Sequence, residues 1–224
     1  VKETSSDNTY SYTTSTYSGI VGGKSTTITY FANNDTDFGK SLSIHQAIEM
    51  AQRYVSGLDN SFVSSVDVSF PILGTSSYFK SSDNTISIAT TDPFDWDTIQ
   101  HEYGHYIQYR YGFLGPGATH YYDANMADRL SDKSKGIKLA WTEGWATYFA
   151  INLQMKMNAS ALNIPNVGDS AYQDDEGSYI IEFDIETPLA EYKLGEANEV
   201  SVAAILFDIT DGINTSSGEN DYIS

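Results

Sequence analysis

His101, Glu102 and His105 make a His-Glu-x-x-His pattern, the grouping in this chain whose types and spacing are best suited to chemistry. An α-helix turns once in about 3.6 residues, so positions i and i+4 project from one face, a turn apart. Two imidazoles placed that way can grip a single divalent ion, and Zn2+ is the usual occupant of such sites. The glutamate between them is close enough to take a proton from a water that the ion activates. The chemistry implied is metal-assisted hydrolysis, with Glu102 as general base.

The residues around the pattern predict the helix that would carry it. Asp92-Pro93 is a start signal, aspartate as N-cap and proline at the first helical position. Asp95 and Asp97 then fall in or near the first turn, where the helix dipole favours anions. Trp96, Ile99, Tyr103, Tyr106 and Ile107 recur at spacings of three and four, and Gly112 with Gly115-Pro116 supplies the stop. The expected span is 93–111.

Catalytic zinc usually takes three protein ligands and leaves one position for water. A continuation to HExxHxxGxxH would supply a third histidine, but Gln108 and Tyr111 stand at the relevant positions. His45 falls in the first turn of an amphipathic helix, and His120 and Asp123 fall in a loop. Glu143, in Trp141-Thr-Glu-Gly-Trp145 and 38 residues beyond His105, is the stronger candidate. It sits in a second helix, expected over 136–157, among Ile137, Ala140, Trp141, Trp145, Tyr148 and Phe149. A carboxylate in such surroundings is costly unless something pairs with it, and a metal would do so. Exposure to solvent, or pairing with Lys135 or Lys138, is the alternative.

Elsewhere the chain reads as strands first and helices later. Residues 17–21 and 25–31 suggest two strands about Gly22-Gly23. Asn33 to Asp37 reads as a loop. Ser43 and Gln46 look like a capping box before the stripe Ile44, Ala47, Ile48, Ala51, Tyr54 and Val55, which Gly57 ends. Residues 62–70 alternate like a strand closed by Pro71, and Tyr78-Phe79 with 85–90 suggests a pair across 81–84. Residues 113–135 read as loop and 163–194 as irregular and acidic. A third helix is expected over 197–209, burying Val202, Ala203, Leu206 and Phe207. The order argues for an α+β fold, with residues 1–224 as one catalytic domain: a mixed-sheet lobe plus the metal-site helix over 1–112, and a mainly helical lobe over 113–224.

Thirty acidic against 12 basic side chains give a formal charge of −18, the wrong sign for a nucleic-acid partner. There is no cysteine, hence no disulfide framework and no thiolate metal site. No apolar run is long enough to span a bilayer. A Ser-, Thr-, Asn- and Tyr-rich acidic surface points to a secreted or extracellular protein. The acidic loops at 33–37 and 169–176 are candidate Ca2+ sites, although no EF-hand spacing is present.

His-Glu-Tyr-x-His followed downstream by Glu-Gly-Trp resembles the gluzincin metallopeptidases, whose third zinc ligand is a glutamate. Within them it looks most like the fungalysin-type and thermolysin-like endopeptidases, as an outlying member. The resemblance covers residues 92–150. It implies a zincin-like fold, His101, His105 and Glu143 as zinc ligands, Glu102 as general base, and a protein or peptide substrate. It also implies that 85–90 is an edge strand above the cleft, to which an extended peptide could add. Three departures stand out. Thr147 occupies the position of an aspartate that orients a ligand histidine, the Gly-x-Met-Glu-Asn motif of the aminopeptidase branch is absent, and no histidine follows His120.

Each ligand histidine should donate its other ring N–H to a carboxylate or carbonyl. With threonine at 147, Asp208 is a candidate for that role, or else it faces water beside Asp211. Glu199 is expected to favour the N-terminus of its helix. Tyr121, Tyr122 and Tyr192 are loop candidates for a second oxyanion donor. Two competing functions remain: a non-catalytic extracellular surface or adhesion module, against which the intact Glu102 argues, and a zinc hydrolase acting on a non-peptide bond.

Overall fold

The computed structural model describes residues 32–61, 65–188 and 195–211, and its architecture is α+β. The strands expected over 17–31 lie outside the described residues. Helix α1 (Asp37–Leu58) starts well before the Ser43/Gln46 box, because Thr36 caps it: the threonine hydroxyl accepts the Gly39 N–H at 3.1 Å. Ser43 lies inside the helix and accepts the Trp96 indole N–H at 3.1 Å. The expected stripe is buried at Ile44, Ala47, Ala51 and Val55.

Strand β1 (Asp67–Ile72) runs through Pro71 instead of stopping before it. Proline has no N–H to give a ladder and is tolerated at edges and bulges. Here β1 is an edge of a three-stranded sheet, and its register slips between Ser69 and Ile72. Strands β2 (Tyr78–Lys80) and β3 (Thr85–Ala89) form the antiparallel pair expected across 81–84. Strand β3 also pairs with β1 in parallel, which makes it central and corrects its placement as an edge strand. The second edge is β2, which packs beside the next helix.

That helix, α2 (Trp96–Arg110), begins later than 93 because Asp95, not Asp92, is its cap and accepts the Thr98 N–H at 3.1 Å. Asp92 is buried and accepts from the hydroxyls of Ser77 and Thr91, tying the helix entry to the run into β2. Trp96, Ile99, Tyr103 and Tyr106 are buried in one cluster with Ile86, Ile88 and the apolar face of α1. Each fully buried side chain of this kind contributes roughly 1.5–3 kcal/mol.

The stretch 113–132 is loop except for a short helix, α3 (Met126–Leu130), capped by Asn125, and the last three residues of the expected loop already belong to the next helix. Helix α4 (Lys133–Lys156) follows, capped by Asp132. The stretch expected to be irregular holds an antiparallel hairpin, β4 (Ala171–Asp175) and β5 (Ile180–Asp184), so the second half is less purely helical than its sequence suggests. Helix α5 (Glu199–Asp211) packs on α4 through Val200, Ala203 and Phe207, while Val202 and Leu206 are only half-buried. Among the described residues no helix is long and apolar enough to cross a membrane.

Candidate metal centre

Helix α2 sets His101 and His105 one turn apart, with ring centroids 4.7 Å from each other. The glycine between them brings α4 close. A Cβ on Gly104 would stand 3.1 Å from the Ala146 Cα, tighter than ordinary contact. On the other side of α4, a Cβ on Gly144 would come within 2.4 Å of the Glu199 carbonyl oxygen, so α5 presses equally close. Glu143 is carried by this crossing onto the two imidazoles. Its Oε2 lies 3.3 Å from His101 Nε2 and 3.0 Å from His105 Nε2, and the residue is 5 % exposed.

The donor set fits a divalent ion. Ligand atoms about 2.1 Å from one tetrahedral ion stand about 3.4 Å apart, close to the separations seen here. Glu102 also carries an oxygen within 4.8 Å of both histidine donors. Its carboxylate, however, accepts the backbone N–H of Phe79 from β2, whereas Glu143 is the acid in direct contact with both rings.

The far nitrogens of the two rings are also met. His101 Nδ1 is 3.1 Å from Thr147 Oγ1, and His105 Nδ1 is 3.0 Å from Gln108 Oε1. These contacts are not made by Asp208, so the proposed aspartate substitute is corrected: threonine itself fills the place where an aspartate was expected. His45 and Asp123 are exposed. His120 does reach the site from its loop, with Nε2 3.7 Å from Glu143 Oε2 and Nδ1 2.9 Å from Glu199 Oε2. Glu199 is buried and holds this histidine in addition to standing in the first turn of α5. The pairing of His120 with Glu199 and the part of Gln108 were not read from sequence. They depend on a loop and two helices converging, and periodicity carries no signal of that.

The electrostatics separate the two acids. Burial pushes the Glu102 carboxyl up to about 7, with the Glu143 charge adding to it against the opposing pull of His105. Burial alone would raise Glu143 too, but His105 and His120 outweigh it and hold the carboxyl well below its ordinary value. Burial lowers His101 to about 4. For His105 burial is outweighed by the charge and hydrogen bond of Glu143, and the ring is raised to about 9.

Two clefts meet at Ser77, Glu102 and His120. One, of about 480 Å³, has an aromatic wall in which Tyr122 and Tyr172 stack on Phe183 with centroids 5.8 and 5.2 Å apart. The other, of about 330 Å³, runs between Tyr78 and Phe79 of β2 and the loop at Leu114 and Gly115. Of the tyrosines considered as oxyanion donors, Tyr121 and Tyr122 line the larger cleft, and Tyr192 lies outside the described residues.

The hairpin that supplies the aromatic wall is pinned to α2 by acids. Asp97 accepts from Gln154 Nε2 at 2.7 Å and from the Gln173 N–H at 2.9 Å. Asp95 accepts the Asp175 N–H at 3.1 Å, and the Thr98 hydroxyl donates to Asp174 at 3.1 Å. In the acidic loops, Asp169 and Asp175 accept the backbone N–H groups of Ala171 and Gly177.

No curated protein and no solved structure matches the chain. A family model, that of the Mycolysin C-terminal domain, matches residues 65–223 and so spans all the groups just described. This is a peptidase-associated C-terminal domain, and the chain belongs to the Mycolysin C-terminal domain family.

Proposed function

We propose that this chain is a zinc-dependent peptidase that cleaves within extended polypeptides, with His101, His105 and Glu143 as the metal ligands and Glu102 as the general base. The observation that carries the reading is the contact of one buried Glu143 oxygen with both Nε2 atoms, while the neighbouring Glu102 is left to face the clefts. A zinc ion in that cradle supplies an activated water and a Lewis acid for the scissile carbonyl.

Glu102 has a proton affinity near neutrality, which suits a group that takes a proton from the attacking water and returns it to the leaving amine. The Phe79 N–H fixes the direction in which that carboxylate points. His120 faces the same space and is kept protonated by Glu199 and Glu143 against the effect of burial. Its N–H is the chain's donor to an oxyanion developing at the carbonyl. Among the described residues β2 has no strand partner on its outer side, where an extended substrate could lie alongside, and clefts on both sides of Glu102 allow chain to continue in each direction. Work outside the cell agrees with the acidic, Ser-, Thr-, Asn- and Tyr-rich composition.

The rival reading is a non-catalytic domain that accompanies a peptidase, and it draws on the family's description as a C-terminal domain. One assay decides between them: zinc stoichiometry and hydrolysis of an unstructured protein, with and without chelator, for the native chain and Glu102→Gln. About one zinc per chain is expected, with hydrolysis lost in the variant and metal retained. A native chain that binds zinc but leaves the substrate intact supports the rival, and an active Glu102→Gln removes Glu102 from the mechanism.

A further inference from the structure

We propose that two uncharged side chains, Gln108 and Thr147, are the positioning residues of the metal-binding imidazoles, and that Gln108 fixes the tautomer of His105. The inference rests on the reading above only in taking His101 and His105 as ligands.

The argument for Gln108 runs through α4. The Thr142 carbonyl can only accept, so the end of the Gln108 amide that meets it at 2.9 Å is the NH2 group. The other end, a carbonyl, then faces His105 Nδ1 at 3.0 Å and must receive its proton. With Nδ1 committed to Gln108, Nε2, the atom 3.0 Å from Glu143, is the nitrogen that gives up its proton when a metal binds. Flipping the amide would set two oxygens against each other in a place with no water to intervene, because Gln108 is fully buried. An unmade buried bond of this kind costs about 1–3 kcal/mol. The orientation of a ring on α2 is thus dictated by a backbone carbonyl of α4, one residue before Glu143.

Thr147 stands one turn beyond Glu143 on α4 and is 4 % exposed. Its hydroxyl is 3.1 Å from His101 Nδ1 and can accept that ring's proton, which leaves Nε2, 3.3 Å from Glu143, as the nitrogen for the metal. Neither partner carries charge, so what they contribute to metal affinity is orientation.

The test is zinc affinity of the purified chain by chelator competition, with melting curves of the chelated proteins alongside. Gln108→Met keeps the volume and loses both donor and acceptor. Thr147→Val keeps the shape, and Thr147→Ser keeps the hydroxyl. Zinc affinity should fall about 10–100-fold in Gln108→Met and in Thr147→Val, while Thr147→Ser stays near the native value. The Val/Ser pair separates the hydroxyl from packing, since packing alone would not favour serine; if Gln108→Met fails to fold, Gln108→Glu, which keeps an acceptor for His105 but no donor for the Thr142 carbonyl, takes its place and should retain more zinc affinity than Gln108→Leu. Native affinity in Thr147→Val overturns the role of Thr147, and native affinity in a folded Gln108→Met overturns that of Gln108. A native chain that binds no zinc overturns the peptidase reading instead.

Discussion

Replacing Glu143 by glutamine isolates the charge of the third acid. The amide has nearly the same volume, so no cavity opens in a residue that is 5 % exposed. What changes is the anion that sits 3.3 and 3.0 Å from the two imidazole nitrogens. Structural zinc sites with four protein ligands are worth about 10–16 kcal/mol in all, or roughly 2.5–4 kcal/mol for each ligand. An amide oxygen keeps a little of that, so Glu143→Gln should lose about 3 kcal/mol, a fall of about 100-fold in zinc affinity. The loss should be measured at pH 8 by competition with a chelator of known affinity. Hydrolysis should fall in parallel and return in part at high zinc. Affinity unchanged in the variant would refute the assignment and move the third ligand to His120, whose Nε2 is 3.7 Å from the same oxygen.

Two further outcomes follow from the same geometry. His120→Ala should lower kcat about 100- to 1,000-fold, the usual cost of one oxyanion donor, with zinc stoichiometry and KM nearly unchanged, while Glu199→Gln, which leaves the ring but loosens its hold, should cost less; steady-state kinetics on a defined peptide checks both, and wild-type kcat in His120→Ala removes the donor role. In chelator, the protein should melt at a lower temperature at pH 8 than at pH 5. Burial raises Asp95 to about 7 and Asp174 to about 6, so the folded state holds protons that the unfolded chain has released, and stability is lost as pH climbs through that window. Asp174→Asn keeps the acceptor for Thr98 and should narrow the gap between the two melting temperatures; an unchanged gap would show that Asp174 is not one of the groups responsible.

The parts of the molecule that were legible from sequence are those governed by short-range spacing. The i, i+4 pair at 101 and 105 and the buried stripe of α1 follow from helical period alone. An acid among Trp141, Trp145 and Phe149 signals a need for a partner, and that is how Glu143 could be singled out. Boundaries were less legible, because several residues compete to cap a helix: Asp92 and Asp95 both suit the start of α2, and the choice fell to Asp95 once Ser77 and Thr91 had engaged Asp92. The β4–β5 hairpin was illegible for a different reason. Its strands are short and acidic, and their main-chain N–H groups are received by Asp95 and Asp97, some 76–80 residues earlier. Thr147 was read as a missing aspartate, although a hydroxyl also accepts a proton from a ring nitrogen.

Gly104 and Gly144 have a mechanical consequence. Helix α4 is wedged between two neighbours, and at each crossing a glycine leaves no room for even one added carbon without displacing a neighbour. The acid that closes the ring pair is the neighbour of Gly144, and the backbone carbonyl of the acid that steadies His120 rests on that glycine. A side chain at position 144 would push α5 away from α4, and with it Glu199 away from the histidine it holds, so one glycine sets the spacing between the two acids.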